Sequence, residues 1–105
     1  MYLARFSYDV APVNRQHAID LIHREVAAAR GNQLNARLLV PLTRGPGGPA
    51  LQFEVELTSL DQLDQFRHRG IDSPEETAHW MHDFSQILVT PPEVELLRVD
   101  EPRAA

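Results

Sequence analysis

The stretch Leu34-Asn35-Ala36-Arg37-Leu38-Leu39-Val40-Pro41-Leu42-Thr43-Arg44-Gly45-Pro46-Gly47-Gly48-Pro49-Ala50-Leu51-Gln52-Phe53-Glu54-Val55-Glu56-Leu57 decides the fold. On its first arm Leu34, Ala36, Leu38, Val40 and Leu42 recur at every second position, and on its second Leu51, Phe53, Val55 and Leu57 do the same. A strand with one buried face needs that alternation, because successive side chains point to opposite sides of the sheet. Between the arms, Arg44 to Pro49 mixes glycine and proline in a way that neither helix nor ladder accommodates. It reads as a turn, and the two arms as a β-hairpin.

Towards the N-terminus, Tyr2, Ala4, Phe6, Tyr8 and Val10 form one row and Leu3, Arg5, Ser7 and Asp9 the other, a further half-buried strand. Asn14 is the expected N-cap of a helix over 15–30, whose apolar face holds Ala18, Ile19, Ile22, Val26 and Ala29. Gly31-Asn32 ends it. Towards the C-terminus, Ser59 with Gln62 three residues on resembles a capping box and opens a short helix. Leu60, Leu63 and Phe66 are its expected buried side and Gly70 its end. Ser73-Pro74-Glu75-Glu76 is a stronger start, with a capping serine, proline at the first helical position and acids in the first turn. That helix runs to about Val89, Pro91-Pro92 closes it, and Glu93 to Val99 is a last strand. Its phase is open, since Val94 and Leu96 suit one register and Leu97 and Val99 the other.

The order predicts an α+β, ferredoxin-like βαββαβ domain over 1–100, with a frayed tail at 101–105. Its four-stranded antiparallel sheet carries helices on one face. A length of 105 residues suits one modest core. The formal charge of -5, with no basic stripe, argues against a nucleic-acid backbone as partner. Without cysteine there is no disulfide, thiolate metal site or thiol nucleophile. All ten basic residues are arginine, which excludes a lysine Schiff base and fits a high-GC bacterial source. No apolar run approaches the ~20 residues of a membrane helix. The alternating N-terminus is unlike a signal peptide, so a cytoplasmic protein without a membrane partner is expected.

The sheet face turned away from the helices carries Arg5, Ser7, Arg37, Leu39 and Pro41, with Gln52, Glu54 and Glu56. First and third strands are expected neighbours, so Arg5 pairs with Glu54 or Glu56. The face is either solvated or the polar interior of a barrel closed by two such sheets. Leu3, Leu39 and Leu97, awkward in water, favour the homodimer.

The element order, the length, and Phe53-Glu54-Val55-Glu56-Leu57-Thr58-Ser59 running into a short helix resemble the dimeric α+β-barrel superfamily. That group includes antibiotic-biosynthesis monooxygenase-like proteins, heme-degrading monooxygenases, polyketide cyclases and stress-responsive barrel proteins. The resemblance implies a homodimer of back-to-back sheets with a ligand cleft between sheet and helices. The heme-degrading members use an asparagine, a tryptophan and a histidine at places that correspond to Ser7, Phe66 and His79, and only the histidine agrees.

Phe6, Tyr8, Phe66, Trp80 and Met81 project between sheet and helices, either as core or as a flat apolar slot with the Tyr8 hydroxyl at its mouth. His23 flanks the apolar face of the first helix and is, with Tyr8, the candidate catalytic group. His79 and His82 share a spacing that can hold a metal, but a helical wheel sets them opposite Trp80, Met81 and Phe84, so no metal and no cofactor is expected. Two functions stay open. One is a cofactor-free, monooxygenase- or cyclase-like enzyme on an aromatic or polyketide-like molecule; the other is a non-catalytic ligand-binding or accessory barrel.

Overall fold

A computed structural model of the chain describes residues 1–43, 51–100 and 102. The 44–49 turn therefore lies outside the described residues, as does the 101–105 tail except for Pro102. Four strands, β1 (Tyr2–Tyr8), β2 (Ala36–Leu39), β3 (Leu51–Leu57) and β4 (Glu93–Arg98), form one antiparallel sheet in the order β2-β3-β1-β4. The helices α1 (Arg15–Gly31), α2 (Leu60–Arg69) and α3 (Pro74–Ile87) complete the expected ferredoxin-like α+β architecture.

Local chemistry sets the helix ends. Ser73 Oγ accepts the Glu76 amide at 3.1 Å with Pro74 in the first turn, as expected. Ahead of α1 the cap differs: Asn14 makes no side-chain capping bond, and a 3-10 turn over Pro12–Asn14 leads into the helix instead. At α2 the Gln62 side chain reaches one residue further back than a capping box requires, accepting from the Thr58 amide at 2.7 Å. Gly70 ends α2 at φ 63° and ψ -151°, a backbone state only glycine adopts readily.

The register puts Ala4, Phe6 and Tyr8 of β1 on the helix side with Leu51, Phe53, Val55 and Leu57 of β3. Together with Ala18, Leu21, Ile22, Val26 and Ala29 of α1 most of these make the core. β2 is shorter than its apolar row suggested: Val40 and Leu42 lie beyond it, and Leu42 is 98% exposed. Leu60, expected on the buried side of α2, is exposed because the helix seats itself through Phe66 and Leu63.

The phase of β4 is settled by an unbroken ladder to β1, in which Val94 faces Phe6, Leu96 faces Ala4 and Leu97 faces Leu3. No bulge or strand exchange is needed. Val94 and Leu96 point to the helix side, yet they stay 45% and 47% exposed. The reason lies in the helix layer: α1 packs on β2 and β3, α2 on β3, and α3 on α1. The β4 side is left thinly covered, and a cleft opens there. No helix among the described residues is long and apolar enough to cross a membrane.

Candidate functional site

The cleft has a volume of about 530 Å³. Each element contributes for a structural reason. β1 supplies Phe6 and Tyr8, two residues apart and hence on one face. α2 supplies Phe66 and Arg67 from its last turns, and Gly70-Ile71 form the wall where α2 gives way to α3. α3 supplies Thr77, Trp80, Met81, Phe84 and Ser85, while Leu88, Pro92 and Val94 close the β4 side. The aromatic rings support one another. Tyr8 lies 4.6 Å from Phe84, Trp80 meets Phe84 edge-on at 5.4 Å, and Phe53 stacks on Phe66 at 5.9 Å.

The Trp80 indole N–H donates to the Leu21 carbonyl of α1 at 2.7 Å, which orients the ring and ties α3 to α1. Thr77 anchors the wall below it. Its Oγ1 accepts the Ile71 amide at 2.7 Å and lies within bonding distance of the Ile71 and Ser73 carbonyls.

The polar centre of this apolar space is Glu25 of α1, which is 7% exposed. The Tyr8 hydroxyl donates to Glu25 Oε1 at 2.9 Å and approaches Oε2 at 3.3 Å. Among the described residues no arginine or histidine pairs with this carboxyl. Loss of water dominates its titration: burial pushes the Glu25 pKa up to about 8, outweighing the downward pull of the Tyr8 hydrogen bond. Burial first, then the neighbouring carboxyl charge and the bond to it, push the Tyr8 phenol well above its ordinary range. Near neutral pH the pair is thus a phenol that stays protonated beside a carboxyl that can hold or release a proton.

The expected site residues are distributed as follows. Phe6, Tyr8, Phe66, Trp80 and Met81 all line the cleft, Met81 at its exposed rim. His23 does not: it is solvent-exposed and outside the lining. Glu25, two residues on and about 200° round the helix, is the α1 group that reaches the cleft. His79 and His82 are exposed on α3, and the described residues contain no cluster of three or more groups that could hold a metal. Ser7, Phe66 and His79 do not converge, since Ser7 lies on the opposite sheet face, bonded to Gln52 at 3.1 Å, and His79 faces solvent.

On that opposite face Arg5 does pair with Glu54, its direct cross-strand partner, through Nε at 3.0 Å and Nη2 at 2.8 Å. Arg37 of β2 closes on the other carboxylate oxygen through Nε at 3.1 Å and through Nη2. Glu56 faces Leu3 instead. Glu54 is 1% exposed, and burial raises its pKa, but the hydrogen bonds and charges of Arg5 and Arg37 outweigh that and hold it below the ordinary range. In register, Arg37, Glu54, Arg5 and Glu95 form one alternating row of charge across all four strands.

No protein-family model matches the chain, and no curated protein matches it in sequence. Solved structures do. The Rv0793 protein of Mycobacterium tuberculosis superposes with a TM-score of 0.71 at 17% identity, over 99% of this chain and 100% of its own. An antibiotic biosynthesis monooxygenase gives a TM-score of 0.72 at 14% identity, over 96% and 100%. An uncharacterised NIPSNAP domain protein from Burkholderia xenovorans gives 0.73 at 10%, over the whole of both chains. The fold is that of the antibiotic-biosynthesis-monooxygenase-like and NIPSNAP proteins, and at these identities the likeness is one of fold.

Proposed function

We propose that this chain is a cofactor-free enzyme acting on a small aromatic or polyketide-like molecule in the sheet–helix cleft, and that it works as a homodimer joined through its sheets. The observation that carries the reading is the Tyr8–Glu25 pair, buried in the wall of an open, aromatic cleft with no cationic side chain paired to it among the described residues. A solidly packed core would have favoured the non-catalytic alternative. A buried carboxyl with a pKa near the working pH is costly to keep and chemically useful.

The chemistry follows from the two groups. Glu25 as carboxylate takes the proton from a carbon beside a ligand carbonyl, and the Tyr8 O–H, turning from Glu25 to the ligand, donates to the oxygen of the resulting enolate. In a ligand with a second carbonyl, the enolate carbon attacks that carbonyl carbon and a C–C bond forms. The alkoxide produced takes the proton back from Glu25, so the enzyme ends as it began. This is a cyclase-like ring closure. The same electron-rich carbon is where a monooxygenase-like reaction with dioxygen would start.

The sheet-to-sheet dimer is supported by the fold likeness and by the outer face. There the ordered row of Arg37, Glu54, Arg5 and Glu95 adjoins Leu3 and Leu97. Sedimentation at micromolar concentration is expected to give a mass near twice 11.9 kDa. A monomer removes this part of the proposal.

The catalytic part is tested with 2-tetralone, a flat bicyclic ketone, by following exchange of its α-hydrogens into deuterium oxide by proton NMR. The protein is expected to accelerate exchange, and Glu25→Gln to reduce that acceleration by roughly 100-fold or more. Equal exchange by the variant refutes Glu25 as base. Binding of 2-tetralone without exchange favours the non-catalytic alternative.

A further inference from the structure

We propose that the cleft selects organic anions, flat apolar molecules bearing one carboxylate or comparable acidic group, and that Arg67 at its mouth is the residue that selects them. The inference rests on the cleft being a ligand site, as proposed above, and adds the charge of the ligand.

The lining contains two ionisable acid or base side chains of opposite type, Glu25 in the inner wall and Arg67 at the rim, besides the Tyr8 phenol. The remaining lining residues are uncharged: apolar side chains, hydroxyls, and the Trp80 indole, whose N–H is taken by the Leu21 carbonyl. Near neutral pH the buried Glu25 carboxyl is largely protonated and adds little negative charge. The guanidinium is then the main charge the cleft presents, in a chain whose formal charge is -5. A cation in that place raises the local concentration of anions against the field of the whole molecule.

Arg67 is also available. Arg5, Arg24 and Arg37 are engaged by carboxylates, whereas Arg67 has no ion pair among the described residues. Its guanidinium carbon lies 5.9 Å from the centroid of the Phe6 ring, so the side chain leans over an aromatic wall of the slot. A ring entering beside Phe6 with an acidic group at its outer end brings that group to the guanidinium. Arginine suits this, because its planar fork offers two parallel donors to one carboxylate.

The test is a pair of isosteric probes, 2-naphthoate and the neutral 2-naphthamide, titrated calorimetrically into the full chain at pH 7. The Trp80 indole N–H resonance reports cleft occupancy, because Trp80 is the only tryptophan and lines the cleft. Naphthoate is expected to bind roughly three- to tenfold more tightly, as a partly solvated ion pair allows. Arg67→Gln should bring the ratio close to one, and Arg67→Lys should restore part of it. Equal affinities in the unaltered protein, or a preference that survives Arg67→Gln, overturn the anion inference while leaving the cleft as a ligand site. If neither probe binds nor moves the Trp80 signal, the cleft reading fails and this inference with it.

Discussion

Replacing Glu25 by glutamine should remove a large pH dependence from the stability of the fold. The unfolded chain releases the Glu25 proton near its ordinary value of 4.5, whereas the folded chain holds it until about 8. Between those limits the folded state carries a proton that the unfolded state has lost, so raising the pH favours unfolding. The contribution is fully present below pH 4.5, declines through the interval, and is gone above about pH 8. At about 1.4 kcal/mol for each pH unit, the whole interval amounts to about 5 kcal/mol, of which about 3 kcal/mol is lost by pH 7. Glutamine keeps an oxygen for the Tyr8 hydroxyl but does not ionise, so Glu25→Gln should be the more stable protein at pH 8 and lack this slope. Urea unfolding followed by Trp80 fluorescence from pH 4.5 to 8.5, at one protein concentration, gives the difference between the two proteins. Parallel stability curves, or a Glu25 carboxyl carbon titrating below pH 5 by NMR, refute the reasoning.

Tyr8→Phe should leave the buried carboxyl without its donor, costing about 1–3 kcal/mol at pH 7 in urea unfolding. It should also move the Glu25 titration above about 8, because the hydroxyl now pulls it down. Glu54→Gln should destabilise by about 2 kcal/mol at pH 7, the worth of hydrogen bonds to charged groups whose arginines remain partly solvated. Glu54 has a lowered pKa, so its contribution is present above pH 4.5 and lost in acid, and the two proteins should converge there. Gly70→Ala should cost about 1–3 kcal/mol, because its backbone suits only glycine and the added Cβ would run into Thr77 Oγ1. Thermal unfolding should fall by several degrees.

The elements were legible where local chemistry determines them. Period-two rows placed β1 and β3, the Pro91-Pro92 break set the start of β4, and the Ser73-Pro74 start placed α3, because these patterns follow from backbone geometry. β2 proved shorter than its row, since alternation says which face a residue would take and not how far a partner strand extends. The phase of β4 could not be read because both of its rows have uses: Val94 borders the open cleft, with Leu96 opposite Ala4 on the same face, and Leu97 meets Leu3 on the outer face. The cleft aromatics were legible as a group. Whether they close into a core or leave a slot depends on which strands the helices cover, and that is a tertiary fact. Glu25 was overlooked although a signal existed. Ala18, Ile22, Glu25 and Ala29 recur at helical spacing, so a carboxyl stands in the middle of an apolar stripe. Residue type favours His23 as an acid–base group, whereas burial is what brings the Glu25 carboxyl into that role.

The two buried glutamates show why residue type alone could not reveal the site. Neither Glu54 nor Glu25 has much accessible surface, but Glu54 is covered chiefly by two partly solvated arginines on an open sheet face while Glu25 lies deep between helix and sheet, and their pKa values move in opposite directions. On the outer face two guanidiniums stabilise the charged form, so Glu54 behaves as a fixed anion within a structural row. On the helix side a single phenol is too weak a donor to offset the lost hydration, so Glu25 keeps its proton. The sheet thus separates a face charged at neutral pH from an apolar, helix-covered side on which, among the described residues, the buried Glu25 can change charge near neutral pH. Stability should peak near pH 5, where Glu54 is already ionised in both states and Glu25 is still protonated in the folded one. An optimum displaced to pH 8 would mean that Glu25 ionises freely, and the acid–base role of the cleft would lose its basis.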